Sequence, residues 1–156
     1  VPEAPGFVDC AAIESPGLTS APAIGVMVAG IVKDLLQLED NPDFNGTRKG
    51  ILDPDTLTTE EYNALIQKNP AYGNIICRCE MVTEGEILDA IHRPLGAKSL
   101  DSVKRRTRAG MGRCQSGFCS PRVMEILARE LGVSMLEITK SGGASKLAVG
   151  TNKDRI

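Results

Sequence analysis

The chain has no tryptophan, only two tyrosines and three phenylalanines, and a single histidine among 156 residues. Any core it forms must be aliphatic, and chemistry that needs several imidazoles is excluded. An excess of one charge is also missing. The formal net charge is −2, which gives no global pull toward nucleic acid or an anionic membrane. No unbroken run of about 18 apolar residues occurs, so no transmembrane segment is expected. The amino terminus, Val1-Pro2-Glu3-Ala4-Pro5, has neither a basic n-region nor an apolar h-region and does not read as a signal peptide. It also lacks an initiator Met, and the chain reads as a piece of something longer with a cytoplasmic setting.

Five cysteines are present, and nothing else in the chain suggests a disulfide framework. Four fall into two close pairs, Cys77-Arg78-Cys79 and Cys114 with Cys119. Cys10 stands alone in an apolar stretch and reads as a small buried hydrophobe.

Along the chain, Gly6 to Ile13 is a short apolar run suited to a buried strand. Glu14 to Ser20 breaks it, and Ala21 to Leu38 reads as a helix, apolar nearly all round in its first half. The rest of the chain offers little to bury it. Asn41 to Asp55 is rich in turn dipeptides. Thr58-x-x-Glu61 and Thr83-x-x-Glu86 are capping boxes that open helices to about Lys68 and Arg93. Asn74 to Cys79 reads as extended. Ser99 or Asp101 caps a third helix, with Gly110 as its stop. Ser120-Pro121 opens a fourth that ends before Gly132. Ser134-x-x-Glu137 opens a fifth. From Ser141 the chain is Gly, Ser, Lys and Asn rich and reads as poorly ordered.

The cysteine pairs carry the chemistry. Each lies on a loop near a helix start, where free amides stabilise anionic sulfur. Gly110, Gly112 and Gly117 give the second loop backbone freedom. Arg78, Lys104, Arg105, Arg106, Arg108, Arg113 and Arg122 crowd nearby. They suit an oxidised [2Fe–2S] cluster with four thiolates, whose formal charge is about −2. Structural zinc also takes four cysteines, but it more often uses C-x2-C to C-x4-C knuckles than C-x-C. A C-x-C disulfide would be strained. His92 reads as a helix-end cation rather than a ligand. The basic run Lys104 to Arg108 suits a cluster or an acidic redox partner better than nucleic acid.

Ile76-Cys77-Arg78-Cys79-Glu80, then Thr83-Glu84-Gly85-Glu86-Ile87, resembles the opening of the bacterioferritin-associated-ferredoxin-like [2Fe–2S] domain. Arg106 to Cys119 resembles its second cysteine loop. The C-x4-C spacing is similar to the version appended to FAD-dependent oxidoreductases, especially anaerobic-type glycerol-3-phosphate dehydrogenases. Ile13 to Gly25 is similar to a carboxyl-terminal flavin-contacting segment of those enzymes. That resemblance places Ser15, Gly17, Leu18 and Thr19 on the turn that approaches the flavin. It implies Cys77, Cys79, Cys114 and Cys119 as cluster ligands, with zinc possible in the cluster's place, and FAD in the full-length enzyme. Implied partners are the upstream FAD-binding and substrate domain and an electron-acceptor protein or membrane-associated subunit. The G-x-G-x-x-G fingerprint is absent from this chain, so the chain alone is not expected to be catalytic, and no residue in it is assigned as an acid–base catalyst. The expected architecture is mainly α: residues 1–45 ending an FAD-binding α/β domain as a strand–loop–helix remnant, 46–73 a linker with a short helix, 74–142 a small helical [2Fe–2S] domain resembling a helix–turn–helix, and 143–156 a flexible tail.

Overall fold

Four helical segments begin at reciprocal caps, each with a hydroxyl accepting from the N3 amide while the N3 side chain reaches back. Thr58 and Glu61 open α2 (Thr59–Lys68). Thr83 and Glu86 open α3 (Glu84–His92). Ser99 and Ser102 open α4 (Leu100–Thr107). Ser134 and Glu137 open a single 3-10 turn, Met135–Glu137, where a fifth helix was expected. The fourth expected helix is α5 (Ser120–Leu131), closed by Gly132 in the left-handed region. Its N-cap is Cys119, one residue earlier than the Ser-Pro signature suggests.

The computed structural model describes residues 1–155 and divides into two units, Val1–Arg48 and a second that begins at Lys49. The second unit is mainly helical. Its only sheet among the described residues is a two-stranded antiparallel hairpin, β1 (Ile75–Cys77) and β2 (Val82–Thr83), with Ile75 opposite Thr83 and Cys77 opposite Val82. The core is aliphatic, as the missing aromatics require. Ile87, Leu127, Val103 and Ile138 are its largest fully buried hydrophobic side chains, and Cys77 and Cys119 belong to it.

This core draws on chain at both ends. The 3-10 turn Pro70–Gly73 presents Tyr72, which is buried, to α3. A Cβ on Gly85 would meet the Tyr72 ring at 2.6 Å, so only glycine allows this approach. Tyr62 of α2 donates its hydroxyl to the Tyr72 carbonyl at 2.7 Å. Residues 46–73 are therefore more than a linker. At the other end, the carbonyls of Thr139 and Lys140 accept from the amides of Leu100 and Asp101 at 3.2 and 2.8 Å. Two orphan donors at the start of α4 are satisfied this way. A bridge pairs Thr139 with Lys146, and Ala148 packs on the core. The chain between Ser141 and Ala148 is thus folded back onto the segment that supplies those acceptors, Lys140 donating to the Ser145 carbonyl at 2.7 Å, where a poorly ordered tail was expected.

The first unit departs further from expectation. Gly6 to Ile13 forms no strand, since the described residues of that unit offer no second strand to pair with. Cys10 is exposed rather than buried. The helix α1 is Gly17–Leu36, starting four residues early, with no buried residue. It is also long and apolar enough to cross a membrane by length and composition, with mean hydropathy 1.4. Counting unbroken apolar runs missed this, because the Gly, Ser and Thr residues that interrupt the helix barely lower its average.

Ion pairs tie the second unit together. Glu84 meets Arg129 at 2.7 Å and His92 meets Glu130 at 2.7 Å, both joining α3 to α5. Lys140 meets Asp101 at 2.9 Å. The Arg129 guanidinium holds Glu84 and Glu130 below the usual carboxylate range, and Lys140 does so for Asp101. Burial pushes Glu86 the other way. Carboxyls held low contribute stability that is present at neutral pH and lost as pH falls through their lowered values; Glu86 gives a smaller opposite slope. Urea midpoints should therefore fall below about pH 4.5. Glu84→Gln should weaken the unit by about 1 kcal/mol at pH 7, the exposure of Arg129 limiting the effect, and should flatten the acid slope. An unchanged slope would remove this pair from the account. Gly85→Ala should destabilise by about 2 kcal/mol through overpacking on Tyr72, read by the same denaturation; a neutral result would mean that the Tyr72 turn is not part of the folded unit.

Candidate metal centre

The first pair sits where the hairpin turns rather than on extended chain throughout. Cys77 ends β1 and Cys79 lies in the turn that follows, with Met81 at φ 53° bringing the chain back into β2. Cys77 is 1% exposed; Cys79 is exposed.

The second pair is held by a more contorted loop. Arg108 ends α4 in the left-handed region, and its guanidinium meets Glu80 at 2.7 Å, joining the helix end to the hairpin turn. Gly110 sits at φ 92°, and the Ser116 hydroxyl donates to its carbonyl at 3.2 Å. Gly112 lies directly on Cys79: a Cβ there would overlap the Cys79 Cβ. Gln115 and Ser116 both take positive φ, so non-glycine residues make the sharpest part of the turn. Cys114 is half-buried, and Cys119 is buried as it enters α5.

All four thiols line one cavity of about 450 Å³, with Ile75, Ile76 and Phe118 as apolar wall and Arg78 and Arg122 as cations. No carboxylate or imidazole lines it. Each loop contributes two of these sulfurs. The Phe118 amide, then the Cys79 thiol, hold the Cys114 thiol below its ordinary value. Burial, then the neighbouring Cys77, pushes Cys119 up to about 11. Among the described residues no group of three or more His, Cys, Asp or Glu is gathered tightly enough for a single metal ion. Four thiols in one pocket are the donor set that a dinuclear centre takes, two thiolates per iron. The residues present therefore fit a [2Fe–2S] group, with Cys77, Cys79, Cys114 and Cys119 to hold it.

Other candidates are placed elsewhere. Of the seven expected cations only Arg78 and Arg122 line the cavity. Arg105 pairs with Asp101, Arg106 bonds the carbonyls of Ser102 and Leu95, and Arg108 pairs with Glu80. The basic run is largely spent on caps and internal pairs. His92 sits in the last turn of α3 against Glu130. Gly17, Leu18 and Thr19 form the first turn of α1 rather than a turn before it, with Ser15 just outside and Leu18 94% exposed. Sequence reasoning passed over Phe118, 86% exposed at the cavity rim, and Glu80. The aromatic scarcity could have flagged Phe118; no spacing signals Glu80.

Gly112→Ala should push Cys79 off its position. After anaerobic reconstitution with iron and sulfide, bound iron per chain should fall about tenfold or more, the scale of a lost supporting contact. Gly110→Ala, strained at positive φ, should also reduce it. Full loading of Gly112→Ala would mean the loops do not need this contact.

Residues 75–129 match the family model of the BFD-like [2Fe-2S] binding domain. The chain is 53% identical over 155 residues to a glycerol 3-phosphate dehydrogenase of Caloramator mitchellensis, covering 99% of this chain and 32% of that protein. It is 38% identical over 66 residues to an anaerobic glycerol-3-phosphate dehydrogenase subunit of Escherichia coli (strain K12), covering 42% of this chain and 12% of that one. It is 39% identical over 85 residues to an opine oxidase subunit of Rhizobium meliloti, covering 54% and 15%. The chain thus spans a third or less of the length of these curated relatives. No solved structure matches it. The segment that carries the two cysteine loops, the hairpin and α3 to α5 up to Arg129 is thus the one similar to the BFD-like [2Fe-2S] binding domain, on a chain similar to one third of a glycerol 3-phosphate dehydrogenase.

Proposed function

We propose that this chain is the iron–sulfur electron-transfer portion of an FAD-dependent dehydrogenase that oxidises glycerol 3-phosphate to dihydroxyacetone phosphate. The observation that carries the reading is four thiols from two loops lining one cavity, within a domain matched to a [2Fe–2S] family. The likeness to a glycerol 3-phosphate dehydrogenase along nearly the whole chain supports the substrate. The opine oxidase relative shows that related domains accompany other substrates, so the domain itself does not choose glycerol 3-phosphate.

In this reading Cys77, Cys79, Cys114 and Cys119 hold the cluster, which supplies one-electron storage between a two-electron flavin and an external acceptor. Arg78 and Arg122 offset its negative charge. Residues 1–45 end the FAD-binding domain, with Ser15, Gly17, Leu18 and Thr19 at the flavin. The start of α1 suits that role as the positive end of a 20-residue helix. Its uncovered apolar surface is the face that the upstream domain of the parent would cover. The acceptor is a protein or a membrane-associated subunit, and the setting is cytoplasmic. No side chain at the cavity is a proton-transfer group for substrate, so catalysis belongs to the rest of the parent.

The test is a visible spectrum of anaerobically purified protein, with iron, sulfide and zinc quantified on one sample. Absorption that bleaches with dithionite, with about two irons and two sulfides per chain, is expected. Replacing Cys77 or Cys119 with Ser should remove most of it. A colourless protein holding about one zinc, even after reconstitution, would make the site structural and end the electron-transfer reading.

A further inference from the structure

The hairpin turn between β1 and β2 stands between two cavities of opposite character. Cys79 lines the thiol cavity, whose wall has arginines and no carboxylate. The next two residues, Glu80 and Met81, line another of about 250 Å³, which gathers Asp53, Asp55, Glu80 and Glu86. Among the described residues Arg108 is the one cation in that second wall. Its Nε donates to Glu80 Oε2 at 2.7 Å. The Glu80 side chain is 20% exposed, so water screens it less than it would an open surface carboxylate. Its charge reaches the neighbouring Cys79 unless something cancels it.

The backbone gives no reason for an arginine at position 108. The residue caps α4 at φ 67° and ψ 1°, in the left-handed region that glycine takes at least cost. Its amide closes the helix on the Lys104 carbonyl at 2.8 Å, and glycine would donate that bond equally well. What arginine adds here is the guanidinium. The same loop then lays Gly112 on Cys79. It therefore meets the hairpin turn twice, once through a charge pair at Glu80 and once through contact at Cys79.

Uptake of one electron by a [2Fe–2S] group breaks no bond and moves no proton. It adds one negative charge to a centre already near −2. A bare carboxylate beside a ligand opposes that addition, and a neutralised one opposes it less. Resting on the cluster reading above, we infer that Arg108 is a positioning residue that sets the reduction potential of the centre, by holding Glu80 in an ion pair and so shielding the group from the acidic cavity behind the turn. One arginine of the basic run thus serves the centre without lining it.

The experiment is a potentiometric titration of the 156-residue chain, reconstituted with iron and sulfide and read by its visible absorption. At a fixed potential Arg108→Gly should lower the ratio of reduced to oxidised chain by about threefold, and Glu80→Gln should raise it about as much, the scale of one partly screened charge. The double variant should return to the ratio of the unsubstituted chain. Arg108→Lys should stay near it, because the charge is retained. Added salt should shrink both single shifts, which a purely structural strap would not do. Shifts of the same sign in the two single variants would overturn the inference, since loop geometry rather than charge would then be the cause. So would a Glu80→Gln chain that titrates like the unsubstituted one. Glu80→Gln leaves the helix end untouched and decides the matter even where Arg108→Gly lowers the urea midpoint. An unsubstituted chain that stays colourless after reconstitution would fail the cluster reading instead, which separates the two failures.

Discussion

Cys77 and Cys119 belong at once to the hydrophobic core and to the wall of the thiol cavity. Much of the second unit is arranged around that double membership. A buried thiolate is expensive unless a metal or donors neutralise it, and burial already drives Cys119 upward. The fold can tolerate the pair as neutral thiols, small and apolar. It can also hold them as ligands once a cation arrives. The metal site and the folded core are therefore energetically coupled. The loops are not appended to a finished scaffold, since β1 delivers one buried sulfur and the start of α5 the other.

That coupling explains why the folded unit exceeds residues 75–129. The hairpin is too short to hold itself, as two-stranded ribbons are marginal in water. It is braced by α3 behind it and by the Arg108–Glu80 pair from the end of α4. In turn α3 is covered by Tyr72 and its turn, and the start of α4 is closed by the carbonyls of Thr139 and Lys140. Each outer segment fixes an element that carries a cysteine loop. A domain with so few aromatics has little spare burial, so these peripheral contacts matter more than their size suggests.

The helices of this unit are legible in the sequence because their signals are local: a hydroxyl, a glutamate three residues on, a glycine or proline at the end. Three of the boxes open where the residues indicate, and the four cysteines line a single cavity. What escapes such reading depends on partners distant in sequence. Gly6 to Ile13 has strand composition but no strand to pair with. Lys104 to Arg108 looks like a solvated basic face, yet Asp101, Glu80 and two backbone carbonyls claim much of it. The segment after Ser141 has loop composition, and composition cannot reveal that two orphan amides on α4 need its neighbourhood. Gly110 has the look of a helix stop, whereas Arg108 takes the left-handed position and Gly110 turns the loop two residues later.

The two units stand in opposite conditions, and this bears on what the chain is. The second satisfies its caps and fills its own core. The first has a 20-residue helix with no buried residue, and Leu18, Val26, Met27, Leu35 and Leu36 are all exposed. Covering five such side chains is worth on the order of 10 kcal/mol at about 2 kcal/mol each, comparable to the net stability of a whole domain. Either the remainder of an α/β domain or a lipid phase could supply that cover by hydropathy alone. The bonds at its entrance are local and call for neither cover: Gly17 donates to the Glu14 carbonyl at 2.7 Å and the Ser20 hydroxyl bonds back to the carbonyls of Pro16 and Gly17.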